Sequence, residues 1–435
     1  MHLPRIIPCL LLCSFSCAAQ ECVTTNVTAG SSRISDLTAT IITDPIRIVV
    51  SYSNSTRIRD AAHFDADGSD IVVTGEIVDL VPSDSAETET FHTVTQSGRV
   101  YRHDANKPSA LREVWVNDLR RASCSSDSLA TAVFAQYEKA SPEFRQNFDT
   151  SMLVVGTRYA CATGRSDNRV YALDYESGRI LWTFNGNATV DLDIITGMLL
   201  DLENDRVFVA TDRTLTSDQN SLWALDLTGN KLWSVNLGQL AGAPQLRQNR
   251  LFINTLAGTI HAVNADSGES HWSFPLNDEG PRPAPFGLVA PKSGEFNDDV
   301  IIVWDFLGEL HAIRDAGDSA IPVWTRFFEP AVSQTDFPAP RFQNFRTPLR
   351  IVKNGMTVFA AGDQGAVYEV DISSGLVTRT HVVDNADVPL TAIDGYESEN
   401  LEGEAVIVGA ENGKLARVCP TEETVFVSGF EPMDI

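Results

Sequence analysis

The residues of this chain that could do chemistry are few and scattered. Asp65, Asp67 and Asp70 surround Gly68 in the run D-A-D-G-S-D. Carboxylates at alternate positions around a glycine are how calcium loops present their oxygens, but a full loop spans twelve residues and closes on a distal glutamate, which is absent. A solvated turn accounts for the run more simply, so these three are metal candidates with no metal expected. Phe337, Phe342 and Phe345 alternate with Arg341 and Arg346. That mixture suits a surface that grips a partner, or one that caps the apolar face of a fold. The histidines show no ligand spacing, and nothing has the form of a nucleophile elbow.

Seven cysteines are present, of which Cys9, Cys13 and Cys17 lie in the first twenty residues. That stretch has a positive start at Arg5, a short apolar run from Ile6 to Phe15, and small residues at Ala18 and Ala19, the pattern of an export signal over 1–19. The run is far short of the roughly 20 residues that span a bilayer. Ser14-Phe15-Ser16 before Cys17 does not fit a lipidation signal, so no lipid anchor and no transmembrane segment are expected. The expected location is the periplasm or exterior of a Gram-negative-type bacterium. Cys22, Cys124, Cys161 and Cys419 then remain in an oxidising compartment, where two disulfides are expected out of three possible connectivities. None has the C-x-x-C spacing of a zinc or redox site.

Across 435 residues the net charge is -25, which excludes the clustered Lys and Arg that bind nucleic acid or an anionic membrane. What positions the scattered residues is a repeat. Residues 169–182 read R-V-Y-A-L-D-Y-E-S-G-R-I-L-W, 221–233 read S-L-W-A-L-D-L-T-G-N-K-L-W, and 259–272 read T-I-H-A-V-N-A-D-S-G-E-S-H-W. Each copy is an alternating strand, a glycine turn and a second strand ending in tryptophan. Before each stands a β-type run such as R-V-F-V-A at 206–210 or R-L-F-I-N at 250–254, continuous enough to be buried on both faces. Pro244, Pro285, Pro348 and Pro389 mark unit starts, because proline is tolerated at the first residue of a strand. Four antiparallel strands in about 40 to 50 residues is the period of a propeller blade. The fold class is therefore all-β, a propeller of eight blades, or seven as the alternative. Trp115, Trp182, Trp233, Trp272 and Trp324 are read as packing residues that cover the seams between blades.

The x-V-Y-A-L-D-x-x-x-G-x-x-x-W phrase resembles the pyrroloquinoline quinone (PQQ)-like repeat of eight-bladed propellers, over about residues 46–419. The resemblance implies W-shaped blades, each tied to the next by its tryptophan. It also implies two activities to choose between. Quinoprotein dehydrogenases of this fold carry an adjacent cysteine pair over the cofactor and acidic ligands for calcium, and no adjacent pair occurs here. The chain is more similar to the non-catalytic outer-membrane assembly propellers. The expected function is an exported, non-catalytic propeller that binds a protein or polymer through one face. The alternative is a PQQ-dependent dehydrogenase with an atypical site, the only reading that would call for PQQ and calcium.

Three further expectations complete the reading. Residues 20–45 form an N-terminal segment, and 420–435 a tail whose G-F-E ending resembles that of other secreted bacterial proteins. Leu129, Val133, Phe134 and Tyr137 recur at helical spacing, so a small helical insertion is predicted over about 118–149. Cys124 and Cys161 then fall on connections at one propeller face and are predicted to pair. Ring closure is predicted to bring Cys22 to Cys419.

Overall fold

The structure is a computed structural model that describes residues 25–28, 34–40 and most of 47–418. Its described strands form eight four-stranded antiparallel sheets, with one two-stranded hairpin between the third and fourth. Blades 1 to 7 span 34–72, 77–118, 124–184, 194–235, 245–275, 287–327 and 349–382, and blade 8 joins 390–418 to 25–28. The second strands supply the largest share of the core. Val300–Trp304 is buried at every position, and Arg206–Asp212 at every position but the last. Burial on both faces removes the polar alternation of an ordinary sheet, which is why these strands read as continuous apolar runs.

The first strands of neighbouring blades touch one another from blade 6 through blades 7, 8 and 1 round to blade 5, and that of blade 1, Ile34–Thr40, meets that of blade 8, Leu390–Glu397. First strands therefore surround the centre, and the ring is closed. Pro244, Pro348 and Pro389 stand immediately before the first strands Gln245–Arg247, Leu349–Ile351 and Leu390–Glu397, where a missing N–H costs the ladder nothing.

The ring has eight blades, and it uses residues that the repeat count leaves in an N-terminal segment. The last copy ends after its third strand, Lys414–Val418. Its fourth strand is Thr25–Thr28, antiparallel to it with Thr25 opposite Arg417. Thr25–Thr28 thereby pairs the edge that Lys414–Val418 would otherwise leave open.

The helical insertion is corrected by the structure. Cys124–Ala135 is a twelve-residue strand, the first of blade 3, paired with Met152–Cys161. Helical structure among the described residues is a 3-10 turn at Ser109–Leu111 and, within the predicted span, Arg145, whose N–H donates to Ser141 O at 3.1 Å. Register irregularities at Cys124/Ser126 and Leu129/Thr131 break the two-residue period of that strand. Leu129, Ala132 and Ala135 are consequently the buried positions, whereas Val133 and Phe134, which the helical reading set on one face with Leu129, are half-buried and Tyr137 lies outside the described residues. Thr131 and Val133, both β-branched, favoured the strand.

Candidate functional site

The seams between blades are built by the repeat itself. In blades 3, 4, 5 and 6 an alanine of the third strand faces the tryptophan of the fourth, and the register slips by one residue immediately beyond it. Ala172 opposes Trp182, for example, while Leu173 opposes Ile180, so Leu181 is the extra residue. The bulge aims the ring out of its own blade and onto the glycine turn of the next. Trp115 lies over Gly178, Trp182 over Gly229, Trp233 over Gly268 and Trp324 over Gly375. Each indole N–H donates to a carbonyl of the same turn, on Tyr175 (2.9 Å), Leu227 (2.8 Å), Ala265 (3.0 Å) and Ile372 (2.8 Å). Trp272 donates instead to the Asp315 carboxylate at 2.8 Å. In blade 7, Arg379 stands opposite Glu369 where tryptophan would fall.

A second tie recurs at the start of second strands, and sequence reasoning missed it. Arg206 donates to Ala265 O at 2.9 Å and pairs with Asp201 and Asp266, at 2.7 and 2.6 Å. Arg250 pairs with Asp315 at 3.1 Å, and Arg47 reaches Ala105 O at 3.3 Å. Its signal was in plain view, an arginine directly ahead of the apolar run in R-V-F-V-A, R-L-F-I-N and R-I-V-V.

On the face carrying these turns, the ends of the first strands of blades 2 and 3 part to leave a cleft of about 460 Å³. Leu80, Val81, Pro82, Val133, Phe134 and Leu202 give it an apolar lining. Its carboxylate, Asp79, is buried and accepts from Thr131 Oγ1 at 2.8 Å and the Ala132 N–H at 2.7 Å. Behind Phe134 lies an aromatic cluster, with Tyr175 at 5.3 Å and His92 at 6.2 Å between ring centroids. His92 is fully buried and neither ring nitrogen has a hydrogen-bond partner. Burial, then the charge of Arg102 and the neighbouring His103, hold its pKa well below the ordinary value, so it packs as a neutral ring. The Arg102 guanidinium sits 3.6 Å from the Tyr175 ring centre and donates to Tyr175 O at 3.2 Å. The cleft can bury apolar side chains, and its lining offers no nucleophile.

The opposite face, where blades are linked, carries a half-buried charged pair at the seam of blades 3 and 4. Burial lowers the pKa of Arg158 and raises that of Asp212, and Gln239 Nε2 donates to Asp212 at 2.9 Å. Of the residues singled out in the sequence, Phe337, Arg341, Phe342, Phe345 and Arg346 lie outside the described residues, as do Asp65, Asp67, Asp70, Cys22 and Cys419. The structure sets Cys124 directly opposite Cys161 in the first strand pair of blade 3.

The residues present do not fit PQQ and calcium. The chain has no adjacent cysteines, and among the described residues no group of three or more His, Cys, Asp or Glu stands close enough to hold a metal. Among the same residues no helix is long and apolar enough to cross a membrane.

Comparison with known proteins agrees with this architecture. The family model described as outer membrane protein assembly factor BamB matches residues 112–236 and 218–422. A comparison with curated proteins finds no match. Among solved structures, BamB from Moraxella catarrhalis is 16% identical with a TM-score of 0.57, covering 92% of this chain and 98% of that one. Sqt1 from Chaetomium thermophilum, bound to the N-terminus of ribosomal protein L10, is 11% identical with a TM-score of 0.64, covering 91% and 98%. The computationally designed Ika8 protein is 13% identical with a TM-score of 0.62, over the same shares. At such identities the structural likeness is one of fold alone, whereas the family model spans well over half of the chain. The chain thus belongs to the PQQ-repeat β-propeller family of the outer membrane protein assembly factor BamB.

Proposed function

We propose that this chain is an exported, non-catalytic propeller that holds a protein partner, with the cleft between blades 2 and 3 as its principal contact. The observation that carries the reading is an apolar cleft whose carboxylate is already engaged by Thr131 and Ala132. Such a site binds without transforming, because no side chain lining it is free to act as acid, base or nucleophile. The family described by an assembly factor supports a role in bringing proteins together. The signal-like N-terminus and the pairable cysteines support export, and the family supports the periplasm of a Gram-negative-type bacterium as the destination.

A second contact is favoured by one feature of the sequence, the Phe337–Arg341–Phe342–Phe345–Arg346 set in a long link between blades. The strand ends that this link joins, at Phe327 and Leu349, stand on the opposite propeller face, so the two contacts can be told apart. A photo-crosslinking residue would be placed at Val133 in one variant and at Phe342 in another, in the cell that makes the protein. The reading expects adducts with one discrete protein from Val133, abolished by Leu202→Glu in a protein that still folds. Adducts from Phe342 alone would move the contact to the other face. None from either position would overturn the binding role.

A further inference from the structure

We infer that Cys124 and Cys161 form a cross-strand disulfide that pins the entry of blade 3 to its second strand. The inference rests on the exported reading above, since such bonds persist in oxidising compartments.

The backbone brings the two residues together. Cys124 opens the first strand of blade 3, Cys161 ends the second, and the two are directly opposed in the antiparallel register. Opposed residues in such a pair have Cα atoms about 4.5 or 5.5 Å apart, within the span of about 4.4 to 6.8 Å that a disulfide bridges. The register is irregular between Cys124 and Ser126, so regular pairing gives out where a covalent tie would take over. A neighbouring contact fixes the approach: Tyr159 Oη donates to Leu119 O at 2.5 Å, holding the link that leaves blade 2 against the second strand of blade 3. Leu119 is held in turn by Gly98 O, at 2.8 Å. Cys161 lies two residues beyond Tyr159 on the same strand, and so at a position of the same face. Cys124 and Cys161 are the cysteines among the described residues, and the register pairs them with each other.

The bond forms by thiol–disulfide exchange with a disulfide-bearing oxidant. One cysteine thiolate attacks the oxidant's disulfide, giving a mixed disulfide and one released thiol. The second thiolate then displaces the other oxidant sulfur, so two electrons and two protons leave the pair and the oxidant departs as a dithiol. The bond closes the first hairpin of blade 3 on itself and clamps its open end.

The test is non-reducing peptide mapping by mass spectrometry, in two arms. One arm uses full-length protein taken directly from the producing cell, and the other uses reduced protein re-equilibrated in an oxidising glutathione buffer. The expected result in both is one peptide pair joining Cys124 to Cys161, lighter by two hydrogens than the separate peptides and split by reductant. Cys124→Ser should leave Cys161 fully reactive to a maleimide. A bond in the glutathione arm with free thiols in the cellular arm would support the pair and count against export. Both thiols free in the glutathione arm, or either one joined to Cys22 or Cys419, would overturn the disulfide.

Discussion

Trp182 and Gly229 show how much of the ring one residue pair carries. The indole covers the next blade's turn, and a Cβ built on Gly229 would meet ring carbons at 2.8 Å. Gly229 also has φ of +88°, a conformation that side chains resist. Gly229→Ala should therefore cost about 1 to 3 kcal/mol. Trp182→Ala should cost about 3 kcal/mol, because it removes a large ring and its N–H bond to Leu227 O. The double variant should lose less than the sum, since both substitutions break one contact. Urea denaturation of the three variants measures this, and strict additivity would mean that the ring and the turn do not depend on each other. The tryptophans and their glycines were legible in the sequence because their spacing repeats. The buried histidines were not, because nothing local marks His92 as lying between blades.

Those histidines set the acid sensitivity of blade 2. His103 is lowered by burial from 6.5 to about 3, and His92 is shifted in the same direction. Between those values the unfolded chain binds more protons than the folded one, so stability falls as pH drops below about 6.5 and is fully present above it. The slope should approach about 1.4 kcal/mol per pH unit for each histidine. His92→Phe should reduce the slope between pH 6.5 and 5 in denaturation series at fixed salt. An unchanged slope would mean that His92 is protonated in the fold.

At the scale of elements, the first strand of blade 3 carries the main disagreement between sequence and structure. Its apolar residues were visible, but its irregular register was not, since a bulge depends on the partner strand opposite. The spacing of Leu129, Val133, Phe134 and Tyr137 then reads as a helix, although the first three lie in a strand. The irregularity takes up a side chain from the preceding blade. Asp79 bonds both Thr131 and the Ala132 N–H, tying the first strands of blades 2 and 3 together beside the cleft. Asp79→Ala should destabilise by about 2 to 3 kcal/mol, the usual scale for a buried charge-assisted bond whose partner is left unpaired. Asp79→Asn should recover part of that loss, because one amide oxygen can still accept. Equal losses for Ala and Asn in thermal or urea unfolding would mean that the site depends on the charge alone.

For the whole molecule, the ties are unevenly distributed. Tryptophans bridge the five seams from blade 2 through blade 7. Blade 7 has Arg379 at that position, blade 8 ends on Thr25–Thr28, and the described fourth strand of blade 1 is Ile71–Val72. The arc from blade 7 to blade 2, which contains the closure, therefore lacks this tie. Hydrogen exchange should open residues 390–418 and 47–60 before 206–264, and removal of residues 1–28 should accelerate exchange in 404–418 most. Uniform protection around the ring would contradict this ordering. The repeat made the blade count legible, while closure was hidden because Thr25–Thr28 carries none of the repeat's residues.

The central claim is the proposed one, that this propeller holds a partner and carries no PQQ chemistry. Its donor set is the reason, since the chain has no adjacent cysteines and, among the described residues, no cluster of metal ligands to receive PQQ and calcium. The direct measurement is a titration of the purified protein with PQQ in the presence of calcium, following the cofactor's absorption and any reduction of an artificial electron acceptor with alcohols or sugars. The account predicts no saturable spectral change and no substrate-dependent reduction. Saturable binding at one equivalent with turnover would contradict it.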